Sequence, residues 1–261
     1  MGASPAGWSW ANSMRFLIIS DIHANLEALE TVLNAADGKY DQVVCCGDIV
    51  GYGPDPNAVT DIFRRINPAI IRGNHEKAAL GLVDLNMFNP MAKKAAVWTQ
   101  EQLTEESQAY IGTIAPGPLD LDGFTLAHGS LLDEDQYLVD LEDAHSSFPL
   151  AHFPVTFIGH THVQGGFVQF QDGRQGVLNP EIRGGSTESQ LRIDSHHVYM
   201  INPGAVGQPR DHDPRAAFAI YEQEEQLVRY FRAQYPLEKT QEKMKTAHLP
   251  HYLIDRLKMG R

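Results

Sequence analysis

The sequence is poor in cysteine, and its two cysteines are neighbours. Cys45 and Cys46 end a short apolar run, and adjacent cysteines rarely bridge each other. A disulfide framework is therefore not expected, and a reducing compartment fits the chain. Buried structural thiols are the expected role of both side chains.

Long apolar segments are also missing. No stretch approaches the roughly 20 apolar residues of a membrane-spanning helix. Residues 1–13 lack the basic start and the apolar core of a secretory signal. We expect a cytoplasmic protein with no membrane partner, in which residues 1–13 are a disordered leader or tag and residues 14–261 form a single domain.

Basic residues are in the minority, since 21 Lys and Arg stand against 33 Asp and Glu, a formal net charge of -12. This balance argues against stable non-specific nucleic-acid binding, which requires Lys and Arg to neutralise phosphates. An acidic protein can still attract a phosphate ester if bound cations reverse the field inside its cleft.

The first half of the chain alternates between strand and helix patterns. Strands are predicted at Arg15–Ser20, Gln42–Cys46 and Ala69–Arg72, and helices at Asn25–Ala36, Pro56–Arg65 and Pro90–Tyr110, the last with a break near Leu103. This order predicts a mostly parallel sheet flanked by helices. In such sheets ligands gather beyond the carboxyl ends of the strands.

After Pro116 short alternating runs predict a mainly antiparallel second half that packs against the first sheet. The predicted strands are Leu119–Leu121, Phe124–Ala127, Val155–Ile158, Gly166–Phe170, Leu191–Ile193, Val198–Ile201, Ala216–Tyr221 and Leu227–Arg232. Asp172-Gly173 is a hairpin signal. Helices at Leu237–Ala247 and Pro250–Met259 close the chain, and no internal repeat is visible.

Five short clusters of polar residues stand just past apolar strand-like runs. They are Asp21-Ile22-His23, Gly47-Asp48, Gly73-Asn74-His75-Glu76, His128-Gly129 and Gly159-His160-Thr161-His162. A residue at a strand end is held by a rigid sheet yet faces an open crevice. Alternation would let residues i and i+2 point the same way, so that each of the D-x-H and H-x-H pairs converges.

Imidazole and carboxylate ligands together suit Mn or Fe, with Zn, Ni or Co as alternatives. Seven candidate ligands exceed the needs of one tetrahedral ion but serve two ions that share a carboxylate, for which Asp48 is the natural bridge. Each cluster alone also has a plain structural reading as a turn, a cap or a hydrogen-bonded histidine. All five in this order make coincidence a poor explanation.

The order D-x-H, G-D, G-N-H-E, H-G and G-H-x-H resembles the calcineurin-like metallophosphoesterase superfamily. The stretches Gly47–Pro54 and Asn202–Arg210 are similar to those of its small prokaryotic phosphodiesterases. The resemblance implies an α/β fold, a four-layer α/β/β/α sandwich with two mixed sheets packed face to face. The place of the Asp-Arg-Gly turn of protein serine/threonine phosphatases holds Gly51-Tyr52-Gly53, which argues against protein-phosphatase activity.

By this resemblance, two divalent metal ions are held by seven side chains. The first ion takes Asp21, His23, Asp48 and His162, and the second takes Asp48, Asn74, His128 and His160. A metal-bridging hydroxide would attack a small or nucleotide-like phosphodiester. His75 would protonate the leaving oxygen, and Glu76 would orient that histidine.

Two further residues are candidates for substrate binding. Arg210 follows a Gly/Pro-rich turn and would clamp the phosphate, although an ion pair with Asp211 or Asp213 is an equal alternative. Asn25 would contact the substrate or a metal-bound water, with a helix N-cap as its alternative. We expect the segments Leu131–Tyr137 and Gln175–Gln190 to rim the pocket.

Two alternatives to a phosphodiesterase remain open. A phosphomonoesterase or nucleotide pyrophosphatase would use the same metals. A non-catalytic interaction module would keep the fold without the activity, but such a module would be expected to have lost ligands, whereas every expected position is filled here.

Overall fold

A computed structural model describes residues 14–182 and 186–261. The predicted leader, residues 1–13, lies outside the described residues. The first half contains β1 (Arg15–Ile19), α1 (Leu26–Ala36), β2 (Gln42–Cys45), α2 (Pro56–Ile66), β3 (Ala69–Ile70), α3 (Asn74–Ala79), α4 (Pro90–Gln102) and α5 (Glu105–Thr113). The break near Leu103 separates α4 from α5, as the sequence predicts.

The second half is dominated by strands. It contains β4 (Leu119–Leu121), β5 (Phe124–Leu126), α6 (Leu141–His145), β6 (Val155–Phe157), β7 (Gly165–Gln169), β8 (Gln175–Leu178), β9 (Glu188–Arg192), β10 (Val198–Asn202), β11 (Ala216–Glu222), β12 (Leu227–Ala233), α7 (Leu237–Thr246) and α8 (His251–Met259). The Asp172-Gly173 turn joins β7 to β8 in an antiparallel hairpin.

The strands form two six-stranded mixed sheets. The first has the order β3-β2-β1-β11-β12-β9, with β1, β2 and β3 parallel. The second has the order β4-β5-β6-β10-β7-β8. The expectation of a mainly antiparallel second half is confirmed, with the exception that β6 pairs in parallel with both β5 and β10.

Successive side chains along a strand point to opposite faces of the sheet, and this alternation separates the core between the sheets from the helix layers. In β1, Phe16 and Ile18 pack into the core between the sheets, with side chains such as Phe124 and Phe157 of the second sheet. The intervening Leu17 and Ile19 pack with the flanking helices. Full burial of each such side chain stabilises the fold by roughly 1.5–3 kcal/mol. The result is the four-layer sandwich of two sheets flanked by helices.

The outer faces are closed by smaller apolar clusters. Phe148 and Ala144 pack with Met200 on the outer face of the second sheet. At the other side, α4 packs against α8, and Tyr52 from the loop after β2 joins that cluster. Within the described part of the chain, no helix combines the length and the apolar character that crossing a membrane requires.

Candidate metal centre

The loops after five strands meet at one place. Asp21 and His23 follow β1, Asp48 follows β2, Asn74 begins α3 just past β3, His128 follows β5, and His160 and His162 follow β6. All are buried except Asn74, which is half-buried. The structure thus brings together the seven side chains that the sequence singles out.

The backbone at five of these residues adopts the left-handed region. The φ angles are 54° at Asp21, 47° at His23, 56° at Asp48, 66° at His160 and 61° at His162. Residues other than glycine rarely adopt this conformation, and it persists where the surrounding structure holds it. The expectation that strand alternation aims these side chains is therefore corrected: the chain turns sharply at each of them.

The side chains form two groups that share one carboxylate. Ligand atoms of Asp21, His23, Asp48 and His162 all lie within 4.8 Å of one another, and so do those of Asp48, His128 and His160. Asn74 adjoins the second group, with its Oδ1 3.3 Å from His128 Nε2. This arrangement suits two cations with Asp48 between them.

Each of the four histidines in these groups is held by a backbone carbonyl through the ring nitrogen that faces away from the centre. The pairs are His23 Nδ1 with Val50 O (3.1 Å), His128 Nδ1 with Cys46 O (2.8 Å), His162 Nδ1 with Gln208 O (2.6 Å) and His160 Nε2 with Asp135 O (3.0 Å). A carbonyl only accepts, so in each neutral ring the outer nitrogen carries the proton. The inner nitrogen then presents its lone pair to the centre, as in histidines that bind metals.

The inner nitrogen atoms of the four histidines lie close to one another, at distances that leave room for a cation between them and the carboxylates. His23 Nε2 and His162 Nε2 are 3.1 Å apart, as are His128 Nε2 and His160 Nδ1. Asp48 Oδ2 is buried and lies 3.2 Å from His128 Nε2 and 3.8 Å from His23 Nε2. Buried lone pairs and a carboxylate oxygen facing one another are costly unless a positive charge lies between them. The donor set therefore fits two divalent cations.

The pKa shifts of the rings follow from burial and from neighbouring charges. Burial lowers the pKa of His160 to about 3 and that of His23 and His162 well below the usual value, so these rings are neutral at pH 7. Burial also lowers the pKa of His128, but the carboxylates of Asp48 and Asp21 raise it more, to about 10. A cation in the second group would have to displace that proton, so metal binding there would release it.

His75 lies beside the centre without belonging to either group. Its backbone N–H donates to Asp48 Oδ1 at 2.8 Å. Its ring centroid is 4.4 Å from that of Tyr52 and 4.7 Å from that of His23, and its Nδ1 is buried without a hydrogen-bond partner. Burial lowers the pKa of His75 to about 4, so the ring is neutral at pH 7. In this state it can donate an N–H hydrogen bond but carries no proton to give away as an imidazolium.

The predicted role of Glu76 is corrected. Its buried carboxylate accepts hydrogen bonds from the backbone amides of Asp48, Ile49 and Gly73 at 2.7–2.8 Å and makes none to His75. Glu76 therefore ties the loop after β2 to the start of α3, which positions Asp48 beside Asn74. It acts on the backbone of the site and does not orient the histidine.

The predicted substrate contact of Asn25 is also corrected in favour of the N-cap alternative. Its Oδ1 accepts from Ala28 N at the start of α1 and from Thr240 Oγ1. Its Nδ2 donates to Gly207 O and to the Tyr235 hydroxyl. The amide is fully engaged in joining α1 to the loop after β10 and to α7.

Arg210 does not form the ion pair with Asp211 or Asp213 that the sequence left open as an alternative. Asp211 pairs with Arg232, and Asp213 pairs with Arg215 at 2.6 Å. The backbone N–H of Arg210 donates to His162 O at 3.1 Å, and its buried Nε has no hydrogen-bond partner. The guanidinium therefore stands next to the centre without a carboxylate partner.

Tyr137 is a neighbour of the centre that the sequence did not single out, although it ends a predicted rim segment. Its ring stacks on that of His160, with centroids 3.7 Å apart and planes at 25°. Nothing in the sequence around Tyr137 distinguishes it from a surface aromatic residue. Its position depends on the loop after β5 folding back over the end of β6.

Comparison with known proteins agrees with the fold. Residues 14–226 match the calcineurin-like phosphoesterase superfamily domain. An uncharacterized protein of Methanocaldococcus jannaschii is 31% identical over 255 residues, which cover 94% of this chain and 97% of the relative. The crystal structure of a metallophosphoesterase from Sphaerobacter thermophilus is 38% identical, covers 96% of this chain and 100% of its own, and has a TM-score of 0.83.

A hypothetical protein from Pyrococcus horikoshii shares the fold at only 16% identity, with 95% of this chain and 98% of that one covered and a TM-score of 0.75. The chain belongs to the calcineurin-like phosphoesterase superfamily. Membership implies a hydrolase of phosphoric esters that uses divalent metal ions.

Proposed function

We propose that this protein hydrolyses small phosphodiesters with the help of two divalent cations. The observation that carries the proposal is the pair of ligand groups that share Asp48, in which each histidine donates outward to a backbone carbonyl and directs its other nitrogen inward. Carbonyl acceptors behind the rings fix the ring orientation that metal binding needs.

The two cations would be held as the family resemblance implies. Asp21, His23, Asp48 and His162 would bind one, and Asp48, Asn74, His128 and His160 the other. Bound there, they would polarise the phosphoryl group and activate a water for attack. Mn or Fe suits the mixture of imidazole, carboxylate and amide ligands, and Zn, Ni or Co would also be accepted.

Two further side chains, Arg210 and His75, would contact the substrate. Arg210, which lacks a carboxylate partner, would bind a non-bridging phosphate oxygen. His75 would lie beside the leaving oxygen and donate an N–H hydrogen bond as negative charge develops there. A substrate phosphate favours the protonated ring and the two cations oppose it, so His75 would act through the N–H of its neutral ring.

The preference for diesters over monoesters rests on the likeness of Gly47–Pro54 and Asn202–Arg210 to small prokaryotic phosphodiesterases. Metal-free protein reloaded with each metal in turn should be assayed on bis(p-nitrophenyl) phosphate and on p-nitrophenyl phosphate. Higher kcat/KM on the diester is expected. Faster hydrolysis of the monoester would replace the diesterase by a monoesterase, and a metal-loaded protein inert toward both would favour an interaction module.

A further inference from the structure

A cavity of about 390 Å³ lies beside the candidate metal centre. Its apolar wall is formed by Val139 of the loop after β5, Val163 and Phe167 around the start of β7, and Val177 and Leu178 of β8. Tyr137 and Arg210 also line it. The volume lies in the range of pockets that hold small organic ligands.

Tyr137 and Arg210 connect the cavity wall to residues of the centre. Tyr137 stacks on His160, a member of the second ligand group. Arg210 donates its backbone N–H to the carbonyl of His162, a member of the first group. A phosphate held at the centre would therefore have one of its substituents directed along the cavity.

Asn202 and Gln164, two polar residues of the cavity wall, already make hydrogen bonds within the protein. Asn202 Nδ2 donates to Gly159 O and Thr161 Oγ1, and Asn202 Oδ1 accepts from Gly204 N. Gln164 Nε2 donates to the carbonyls of Pro203 and Phe231. These side chains hold the surrounding loops together, so they offer little to a ligand that needs several hydrogen bonds.

The apolar wall is unusually accessible to solvent. Val139 is 71% exposed, Val177 53% and Val163 44%. A hydrophobic ligand would bury these three side chains, at a gain of about 25 cal/mol for each Å² removed from water. Exposed apolar residues that line one cavity beside a catalytic centre are typical of a ligand site.

We propose that this cavity is a subsite for a hydrophobic organic group, of the size of an aryl ring, on the phosphoester substrate. The proposal rests on the proposed function, because it assumes that the phosphate lies at the metal centre. Val163 and Val177 are its specificity-determining residues. The substrate class is thereby narrowed to esters that carry a bulky apolar substituent.

The test compares two diesters with the same leaving group, methyl p-nitrophenyl phosphate and phenyl p-nitrophenyl phosphate. The metal-loaded wild type should show a kcat/KM at least about tenfold higher for the phenyl ester, the size of a modest apolar contact. The double variant Val163→Asn/Val177→Asn should lose about that factor on the phenyl ester and stay within about twofold on the methyl ester. Val97→Asn is the matched control, since Val97 is an exposed valine on α4 outside the cavity.

A binding measurement separates this subsite from hydrolysis. Calorimetric titration with phenylphosphonate and methylphosphonate should show tighter binding of the phenyl compound to wild-type protein, and the double variant should abolish the difference. If neither ester is hydrolysed but the binding preference appears, the proposed function fails and the subsite stands. If both esters are hydrolysed at equal rates and the double variant changes neither rate nor binding, the subsite is refuted and the hydrolase stands.

Discussion

The Nε2 atoms of His23 and His162 lie 3.1 Å apart in the interior, although the other nitrogen of each ring already faces a backbone carbonyl. Because burial keeps both rings neutral, two lone pairs point at the same small volume, with the carboxylates of Asp21 and Asp48 close by. A protein would not hold such a cluster together at low cost without a positive charge inside it.

Replacing Gly51 tests the placement of His75. Gly51 has φ +87°, and a Cβ there would lie 2.2 Å from His75 Nδ1. Gly51→Ala should therefore displace the ring and lower kcat by about 10²-fold, the cost of a displacement near 1 Å at a reacting centre. Gly38→Ala is the matched control, because Gly38 has φ +71° and open space around it. Both variants should lose about 1–2 kcal/mol of stability because alanine is strained at a positive φ, and Gly51→Ala should lose more because of its contact with His75. Wild-type kcat in Gly51→Ala would contradict the role of His75.

Replacing His75 itself separates its role from that of a metal ligand. His75→Asn should keep the metal content of the wild type and lower kcat by about 10²–10⁴-fold for a diester with an alkyl leaving group. The loss should be smaller with p-nitrophenol as the leaving group, because that anion departs without a proton. Elemental analysis beside the kinetics provides the check. Loss of metal in this variant would make His75 a ligand.

Arg210 should contribute to substrate binding and hydrolysis but not to metal binding. Arg210→Gln removes a charged hydrogen-bond donor from the phosphate, which we expect to lower kcat/KM by about 10–100-fold. Arg174→Gln is the control, since the Arg174 side chain is 79% exposed in the hairpin between β7 and β8. Steady-state kinetics of both variants on one diester measure the effect. Equal kcat/KM values in Arg210→Gln and the control would remove Arg210 from the substrate site.

The stability of the metal-free protein should depend on pH through His75. Burial lowers the pKa of this ring from about 6.5 to about 4. Between these values the unfolded chain binds a proton that the folded chain does not, so the free energy of unfolding rises with pH. Because of this ring, the free energy of unfolding should fall by roughly 3 kcal/mol as the pH falls from 6.5 to 4. His75→Asn should lack that part of the pH dependence. Urea unfolding at several pH values measures it, and parallel curves for the two proteins would contradict a buried neutral ring.

The sequence predicts the positions of the candidate ligands because they follow recognisable strands. Asp21, Asp48 and Asn74 stand just past β1, β2 and β3, and parallel strands end at the same edge of a sheet. What holds the histidines in place is invisible in the sequence. The carbonyls of Val50, Cys46 and other residues accept from the rings, and any residue type could supply a carbonyl.

The parallel pairing of β6 with β10 could not be predicted, for a similar reason. These strands are joined through β7, β8 and β9, and the described part of this connection lacks the intervening helix that usually joins a parallel pair. The sequence predicts that Glu76 orients His75. Its carboxylate turns instead to amides of the loop after β2, a contact that depends on tertiary structure.

The metal content of the wild type and of Asp48→Asn tests the central claim most directly. Both proteins are stripped of metal, reloaded with excess Mn²⁺, freed of unbound ions and analysed for metal per chain, with Asp61→Asn as an exposed control. Because Asp48 belongs to both ligand groups, we expect about two ions in the wild type and in the control, and fewer than one in Asp48→Asn. Two ions retained by Asp48→Asn, or none bound by the wild type, would contradict the account.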